Sequence, residues 1–313
     1  MARILKYSDC AQVNLFTQEV LDIISQCFID YSNKKCNLKP KIVLRKDNAS
    51  FFTTMPAIYN DLMSVKSIQR DITVNQPSIR GMLILNDNIS GNLLSIMDSS
   101  YLTAVRTGLT AYLSLKTTTN IIESKTVSVI GIGNTMIAFL KALQSFKSEH
   151  NIRVVYVKEY KDHLSKVKNV LDKDFDIIPI TNDELMNADI IVSAITSADG
   201  AIVKEYHNDW KAKTIIPIHV RGWEHFDNKV DIITTDFYEQ TKEWIRSDAI
   251  ELGDLLSKEE TRNKLIHKDS NIMSYNYGGG LVDLVIANYI YNKAIELELG
   301  IELNLWDMKS RYI

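Results

Sequence analysis

Cysteine is scarce in this chain. Cys10, Cys27 and Cys36 are the three among 313 residues, an odd number that cannot close a complete disulfide set. None stands in a C-x-x-C spacing, so neither a zinc site nor a redox pair is expected, and three reduced thiols remain. An excess of charge is also missing: 36 basic against 39 acidic residues leave a net charge of −3. No chain-wide basic field exists to hold nucleic acid or an anionic membrane, so neither is an expected partner. Long apolar runs are absent as well. Stretches such as IIPIHV are strand-sized, far below the ~20 residues of a membrane span. The opening MARILKYSDCAQ holds no apolar stretch of signal-peptide length. A reducing, cytoplasmic setting is the default expectation. Neither an internal repeat nor a low-complexity tract interrupts the chain.

What is present fits a folded protein. Hydrophobic residues make up 45% and charged residues 24%, enough apolar surface to offset the entropy of ordering. The length suggests about two domains. The expected boundaries are 1–118 with about 301–313, and 119–300. In the first, QVNLFTQEVLDIISQCFIDYS places apolar residues three and four apart, the spacing of a helix with one buried stripe. Strand-like runs follow: IVLR, FFTTM, LMSVKSIQRDI, and then RGMLILNDNISGNLLSIMD, in which NDNISG reads as a hairpin turn. SYLTAVRTGLTAYLSLK returns to helical spacing. This part is α+β. The last residues, IELNLWDMKSRYI, are expected to return to it as a strand.

After the polar connector KTTTNIIESK the pattern changes. TVSVIG, IRVVYV, DIIPI, DIIVSAI, TIIPIHV and KVDIITTD are short apolar strands, separated by helical or polar segments. This alternation predicts a parallel sheet covered on both faces, and six strands are the count of a doubly wound dinucleotide-binding fold. Its first strand ends in Gly131-Ile132-Gly133-Asn134-Thr135-Met136. Gly131 permits a tight turn, and Gly133 lets the backbone approach a pyrophosphate. The helix N-terminus beyond offers unpaired N–H groups. Met136 stands where the fingerprint has a third glycine. At the end of the second strand, Lys158 favours a 2′-phosphate and Glu159 beside it opposes one, which tips NAD(P) selection slightly towards NADP. A solvated surface lysine is the plainer reading of Lys158.

Several segments together resemble one known family. SVKSIQ, the run from LILND to SYLTAVRTG, VIGIGNT and LVDLVIANYIYNKAIELELGI are similar to the ornithine cyclodeaminase/μ-crystallin family, over about residues 12–303. That family binds NAD(P) in a central Rossmann domain and carries substrate and dimer contacts in a second one. The resemblance therefore implies a homodimer and a small amino-acid or imine substrate. Its members include cyclodeaminases, ketimine reductases, alanine dehydrogenases and opine-type dehydrogenases of 2,3-diaminopropionate synthesis. LILND, and an arginine near the fifth strand, stand nearest to the last group.

By position, the resemblance implies three cationic substrate ligands. Arg45 would meet the carboxylate, Lys66 the carboxylate or the reacting nitrogen, and Arg106 the carboxylate a second time. The chemistry agrees: a guanidinium matches a carboxylate bidentately, and a lysine can exchange a proton with an imine nitrogen. A solvated strand end is the alternative for Arg45. Thr107, Thr196 and Asp283 would join Gly131, Gly133, Asn134, Thr135, Met136 and Lys158 at the cofactor. Thr196 reads equally as a turn residue, and Asp283 as an acid at a helix N-terminus. The departure comes after the fifth strand. There the cyclodeaminases and related dehydrogenases carry a catalytic aspartate, and this chain has Gly222. Ring closure of ornithine loses its acid/base group, whereas hydride transfer to an imine can draw a proton from Lys66, His219 or Glu224. His219 can also be a satisfied buried histidine, and Glu224 a surface carboxylate. The expected function is an NAD(P)-dependent oxidoreductase acting at a C–N bond. A cyclodeaminase-type lyase and a non-catalytic μ-crystallin-like cofactor-binding protein are the alternatives.

Overall fold

The computed structural model describes residues 2–47, 50–71, 79–158, 160–195, 202–203, 205, 210–218, 222–267 and 270–305. The chain divides into two compact units, Met1–Leu15 with Lys34–Thr103 and Gly279–Ile313, and Phe16–Asn33 with Ala104–Gly278. No helix among the described residues is long and apolar enough to cross a membrane.

The first unit is one eight-stranded sheet. It contains β1 (Ala2–Leu5), β2 (Cys36–Leu38), β3 (Ile42–Arg45), β4 (Ser50–Tyr59), β5 (Leu62–Asp71), β6 (Ile79–Asp87), β7 (Leu93–Asp98) and a closing strand, Ile301–Leu303. The spatial order is closing strand, β1, β7, β6, β5, β4, β2, with β3 also on β4. All pairs are antiparallel except β1 with β7. The β6–β7 hairpin forms where NDNISG predicts it. Asp87 Oδ1 accepts from the Ile89 and Ser90 amides and from the Ser90 hydroxyl, an Asx-type turn. The closing strand returns to β1, as expected from the C-terminal sequence.

Side chains alternate across this sheet. Met55 and Ala57 of β4, Ser64, Lys66 and Ile68 of β5, and Leu83 and Leu85 of β6 are buried. The helix Gly280–Glu296 packs on β4 to β7. That helix was expected in the nucleotide-binding domain. Its residues Leu281, Val282, Leu284, Val285, Ile286, Ala287 and Ile290 are all buried, and it belongs to the sheet of the first unit because that is where its apolar sides are covered. Conversely, the helix Gln18–Ser32 belongs to the second unit, packed on the helix Leu252–Ser257. The compact units therefore cut the chain at places other than the expected 118 and 301.

The second unit holds an eight-stranded, wholly parallel sheet. Its strands are β8 (Thr126–Ile130), β9 (Val154–Lys158), β10 (Asp176–Ile180), β11 (Ile190–Ser193), β12 (Thr214–Pro217), β13 (Ile232–Thr235), β14 (Ile250–Glu251) and β15 (Ile272–Tyr275), in the order β10-β9-β8-β11-β12-β15-β13-β14. The order runs outward in opposite directions from β8, which makes β8/β11 the switch point where α/β sheets bind ligands. Six strands were expected, and all six form. The sixth is not beside the fifth, because β15 inserts between β12 and β13. Every residue of β15 is buried, yet its four residues are too short to announce a strand.

Candidate active site

The phosphate loop forms at the switch point. Gly131 follows β8 with φ +79°, and a Cβ there would stand 2.6 Å from the Ala194 carbonyl oxygen just beyond β11. Only glycine fits this turn without strain. Two residues on, Gly133 is the N-cap of the helix Asn134–Ser145, and no side chain caps it. A Cβ at Gly133 would meet nothing within 4 Å. Open space faces a glycine, beside a twelve-residue helix whose first amides lack a side-chain partner. This is the cradle that a pyrophosphate fills, so the chain fits a dinucleotide. Asn134 is exposed and Thr135 half-buried. The Met136 side chain is fully buried in the core, so this residue offers a phosphate only its backbone. Lys158 ends β9, next to β8, and is half-buried.

Arg106 and Thr107 are both buried on the helix Ser100–Thr118. The Arg106 guanidinium lies against Gly278, in the Gly278-Gly279-Gly280 run. Gly278 has φ +81°, and a Cβ on it would run into that guanidinium. The Asp236 carboxylate fixes the same loop by accepting from the Gly278 amide at 2.5 Å and the Phe237 amide at 2.9 Å. Gly278 and Asp236 are functional candidates that the sequence reading missed. The glycine run was visible, but it read as a helix entry.

Lys66 is fully buried in the first unit. Its Nζ lies 2.5 Å from Asp283 Oδ2 and 3.4 Å from Thr103 Oγ1. Asp283 is equally inaccessible. It was expected at the cofactor or as a helix-terminal acid; the structure makes it the counter-ion of Lys66. Arg45 is exposed at the end of β3, over the Phe51 ring at 5.6 Å. Arg45 pairs with Phe51 and Lys66 with Met55, so the two cations share a face of the sheet. They are four β4 positions apart, ~13 Å along the strand, and do not touch.

Thr196 and His219 lie outside the described residues. Glu224 is exposed, and its Oε2 accepts from the Gly222 amide at 2.6 Å and the Trp223 amide at 2.9 Å. It pins the turn at Gly222 and Trp223. Nearby, Tyr275 donates at 2.5 Å to Asp227 Oδ1. Burial pushes the Asp227 carboxyl above its ordinary range, against the opposing pull of that hydrogen bond. Among the described residues no group of three histidine, cysteine or acidic side chains is placed to hold a metal. Cys10, Cys27 and Cys36 are thiols rather than disulfides, and burial raises the Cys10 thiol to about 12, which makes it unreactive at neutral pH.

Comparison with known proteins places this arrangement. The model of the ornithine cyclodeaminase/mu-crystallin family matches residues 3–212. The chain belongs to this family. It is similar to a nodulation efficiency protein of Rhizobium meliloti, 25% identical over 95% of this chain and 97% of that one. Among solved structures, an archaeal alanine dehydrogenase dimer with bound NAD matches with a TM-score of 0.83 at 19% identity, over 97% of this chain and 99% of that one. The Δ1-pyrroline-2-carboxylate reductase of Thermococcus litoralis, in complex with NADH and L-proline, matches with a TM-score of 0.80 at 19% identity. That match covers 96% of this chain and all of the other. These two likenesses establish the fold.

Proposed function

We propose that this chain reduces the C=N bond of a small imino acid, or oxidises the corresponding amine, with a nicotinamide dinucleotide as hydride carrier. It is an NAD(P)-dependent oxidoreductase of the C–N bond. The observations that carry the reading are an open phosphate cradle at Gly133 and a buried cation at two of the three positions that the resemblance implies for substrate, Lys66 and Arg106. A family relative of the same fold takes NADH and L-proline. When bound, the nicotinamide supplies the hydride. In this reading Arg106 clamps the substrate carboxylate and Lys66 meets the reacting nitrogen. Lys158 makes NADP the favoured form. The cyclodeaminase reading is disfavoured by Gly222, which carries no carboxylate to serve ring closure. Incubation with NADH or NADPH and cyclic or linear imino acids, followed at the nicotinamide absorbance, tests the proposal. Ammonia release from ornithine without net change in nicotinamide would replace it.

Gly278 gives a mutational check of the Arg106 role. Gly278→Ala combines a disfavoured backbone angle with displacement of the guanidinium. A lost charge-assisted contact is worth ~1.5–3 kcal/mol, so KM for the imino acid is expected to rise ~10–150-fold. Dinucleotide affinity, read by nicotinamide fluorescence, should stay near wild type. Unchanged KM would remove Arg106 from the site.

The chain is further proposed to work as a homodimer. Leu44, Phe52, Ile58, Val65 and Met82 are exposed on the sheet face opposite the helix Gly280–Glu296, and their registers place them together. A contiguous apolar sheet face calls for a cover, and the archaeal relative is a dimer. A second copy of this chain is the proposed cover. Sedimentation at micromolar concentration giving the mass of one chain would remove it.

A further inference from the structure

A glycine inside a helix weakens it, because its bare backbone loses more freedom on folding than that of any other residue. Gly108 nevertheless stands buried in the middle of the helix Ser100–Thr118, two residues after Arg106. A close approach explains it. A Cβ at Gly108 would stand 2.4 Å from the Phe139 amide nitrogen, 2.6 Å from the Ala138 carbonyl carbon and 2.7 Å from the Ala138 Cβ. Ala138 and Phe139 are themselves buried, on the helix Asn134–Ser145 that begins at the phosphate cradle. The two helices therefore touch backbone to backbone. Arg106, Gly108, Ala138 and Phe139 all belong to the second unit. The contact lies one helical turn, ~6 Å, from the first amides of one helix, and two residues, ~3 Å along the axis, from Arg106 on the other.

The cradle and the clamp are each supported separately. β8 and the Gly131 turn against Ala194 shape the cradle. The Gly278 loop, held by Asp236, seats the Arg106 guanidinium. Neither support joins the helix of the clamp to the helix of the cradle, whereas the Gly108 contact does so directly. We infer that Gly108 is a positioning residue. By letting the two helices meet at backbone distance, it sets the spacing between a substrate carboxylate on Arg106 and a dinucleotide pyrophosphate at Gly133. Through that spacing it sets the alignment of the imine carbon with the nicotinamide. The inference rests on the imine-reductase reading. A methyl group needs ~3.4 Å or more from its neighbours, so an alanine at 108 must part the helices by about 1 Å. Each ligand would still find its own site. Their joint geometry would be lost, and a misplacement of ~1 Å costs ~10²-fold in rate. A glycine that merely stabilises the fold would leave turnover per folded molecule unchanged.

The test is Gly108→Ala in the full-length protein, with Ala138→Val as a second approach from the facing helix. Nicotinamide fluorescence reads NADH and NADPH affinity, circular dichroism reads folding, and steady-state kinetics use the imino acid that wild type turns over. Both variants are expected to keep dinucleotide affinity and KM within ~3-fold of wild type while kcat falls ~10²-fold. Amide hydrogen exchange supplies a readout without turnover. In wild type, NADH or NADPH alone should slow exchange at residues 106–110 as well as at 136–140, and in Gly108→Ala at 136–140 only. Wild-type kcat in the folded variants would overturn the inference. So would a loss confined to dinucleotide affinity or to KM, which would put the contact in one site alone. If neither variant folds, the wild-type exchange decides, and protection that stops at the helix Asn134–Ser145 overturns it. A wild type that binds the dinucleotide and reduces no imino acid removes the proposed function instead, and the exchange comparison still reports whether the two helices respond as one.

Discussion

Gly133→Val is expected to abolish dinucleotide binding while leaving the fold and its melting temperature close to wild type. A Cβ at Gly133 meets nothing within 4 Å in the protein itself, and φ is −94°, an angle open to any residue. The side chain therefore costs the fold little. The same empty space is what a pyrophosphate needs for contact with the first amides of the helix Asn134–Ser145, and the valine methyls would occupy it. Loss of these charge-assisted contacts, together with steric exclusion, should weaken NADH and NADPH alike by at least ~10²–10³-fold, from ~1.5–3 kcal/mol for each lost hydrogen bond. Fluorescence titration of the nicotinamide checks this, with circular dichroism to confirm folding. Gly131→Val is the poorer test. Its φ of +79° and the nearby Ala194 carbonyl would strain the turn, and a loss of binding there could not be separated from a damaged fold. Wild-type affinity in Gly133→Val would reduce the loop to a turn between a strand and a helix.

Lys66→Met should cost both turnover and stability. In the proposed reaction it removes the side chain that meets the reacting nitrogen, which is expected to lower kcat ~10²–10⁴-fold. It also strands the buried Asp283 carboxylate. Breaking a buried pair by removing one partner destabilises by ~3–5 kcal/mol, a large share of the ~5–15 kcal/mol that holds a typical domain. The pH dependence follows from the sign of the linkage. The stranded carboxyl binds its proton more tightly in the folded variant than in the unfolded chain. Its penalty is therefore absent below the ordinary carboxylate range and grows as pH rises through it. The gap in melting temperature between variant and wild type should be widest at pH 7–8 and close towards pH 4. Adding Asp283→Leu should restore stability at neutral pH, because an apolar pair of similar volume carries no buried charge. It should not restore turnover. Recovery of activity in the double variant would show that the pair is a packing device and that another group meets the reacting nitrogen.

Much of this molecule was legible in its sequence, and for a common reason. The strand–glycine–helix turn at 129–136, the hairpin at Asp87 and Ser90 and the six alternating strands are each set by neighbouring residues. Chain-local geometry and apolar periodicity decide such features, whatever the rest of the fold does. Lys66 and Arg106 were named through the family resemblance, and a cation in an apolar run also demands a partner or a ligand. The sequence could not say which partner. Asp283 lies more than two hundred positions from Lys66, and as a carboxylate near the start of a helix it has an adequate local explanation. Only the packing of the helix Gly280–Glu296 on β4 to β7 brings the two charges together and removes water from both. β15 stayed hidden because four residues carry too little periodicity, and its place between β12 and β13 is settled by which strand edges remain to be covered. The role of Gly278 stayed hidden because a positive φ and a guanidinium from another helix converge there. Local order came from local sequence. The pairing of buried charges, the strand order and the allocation of helices to units came from desolvation, which acts only once distant segments meet.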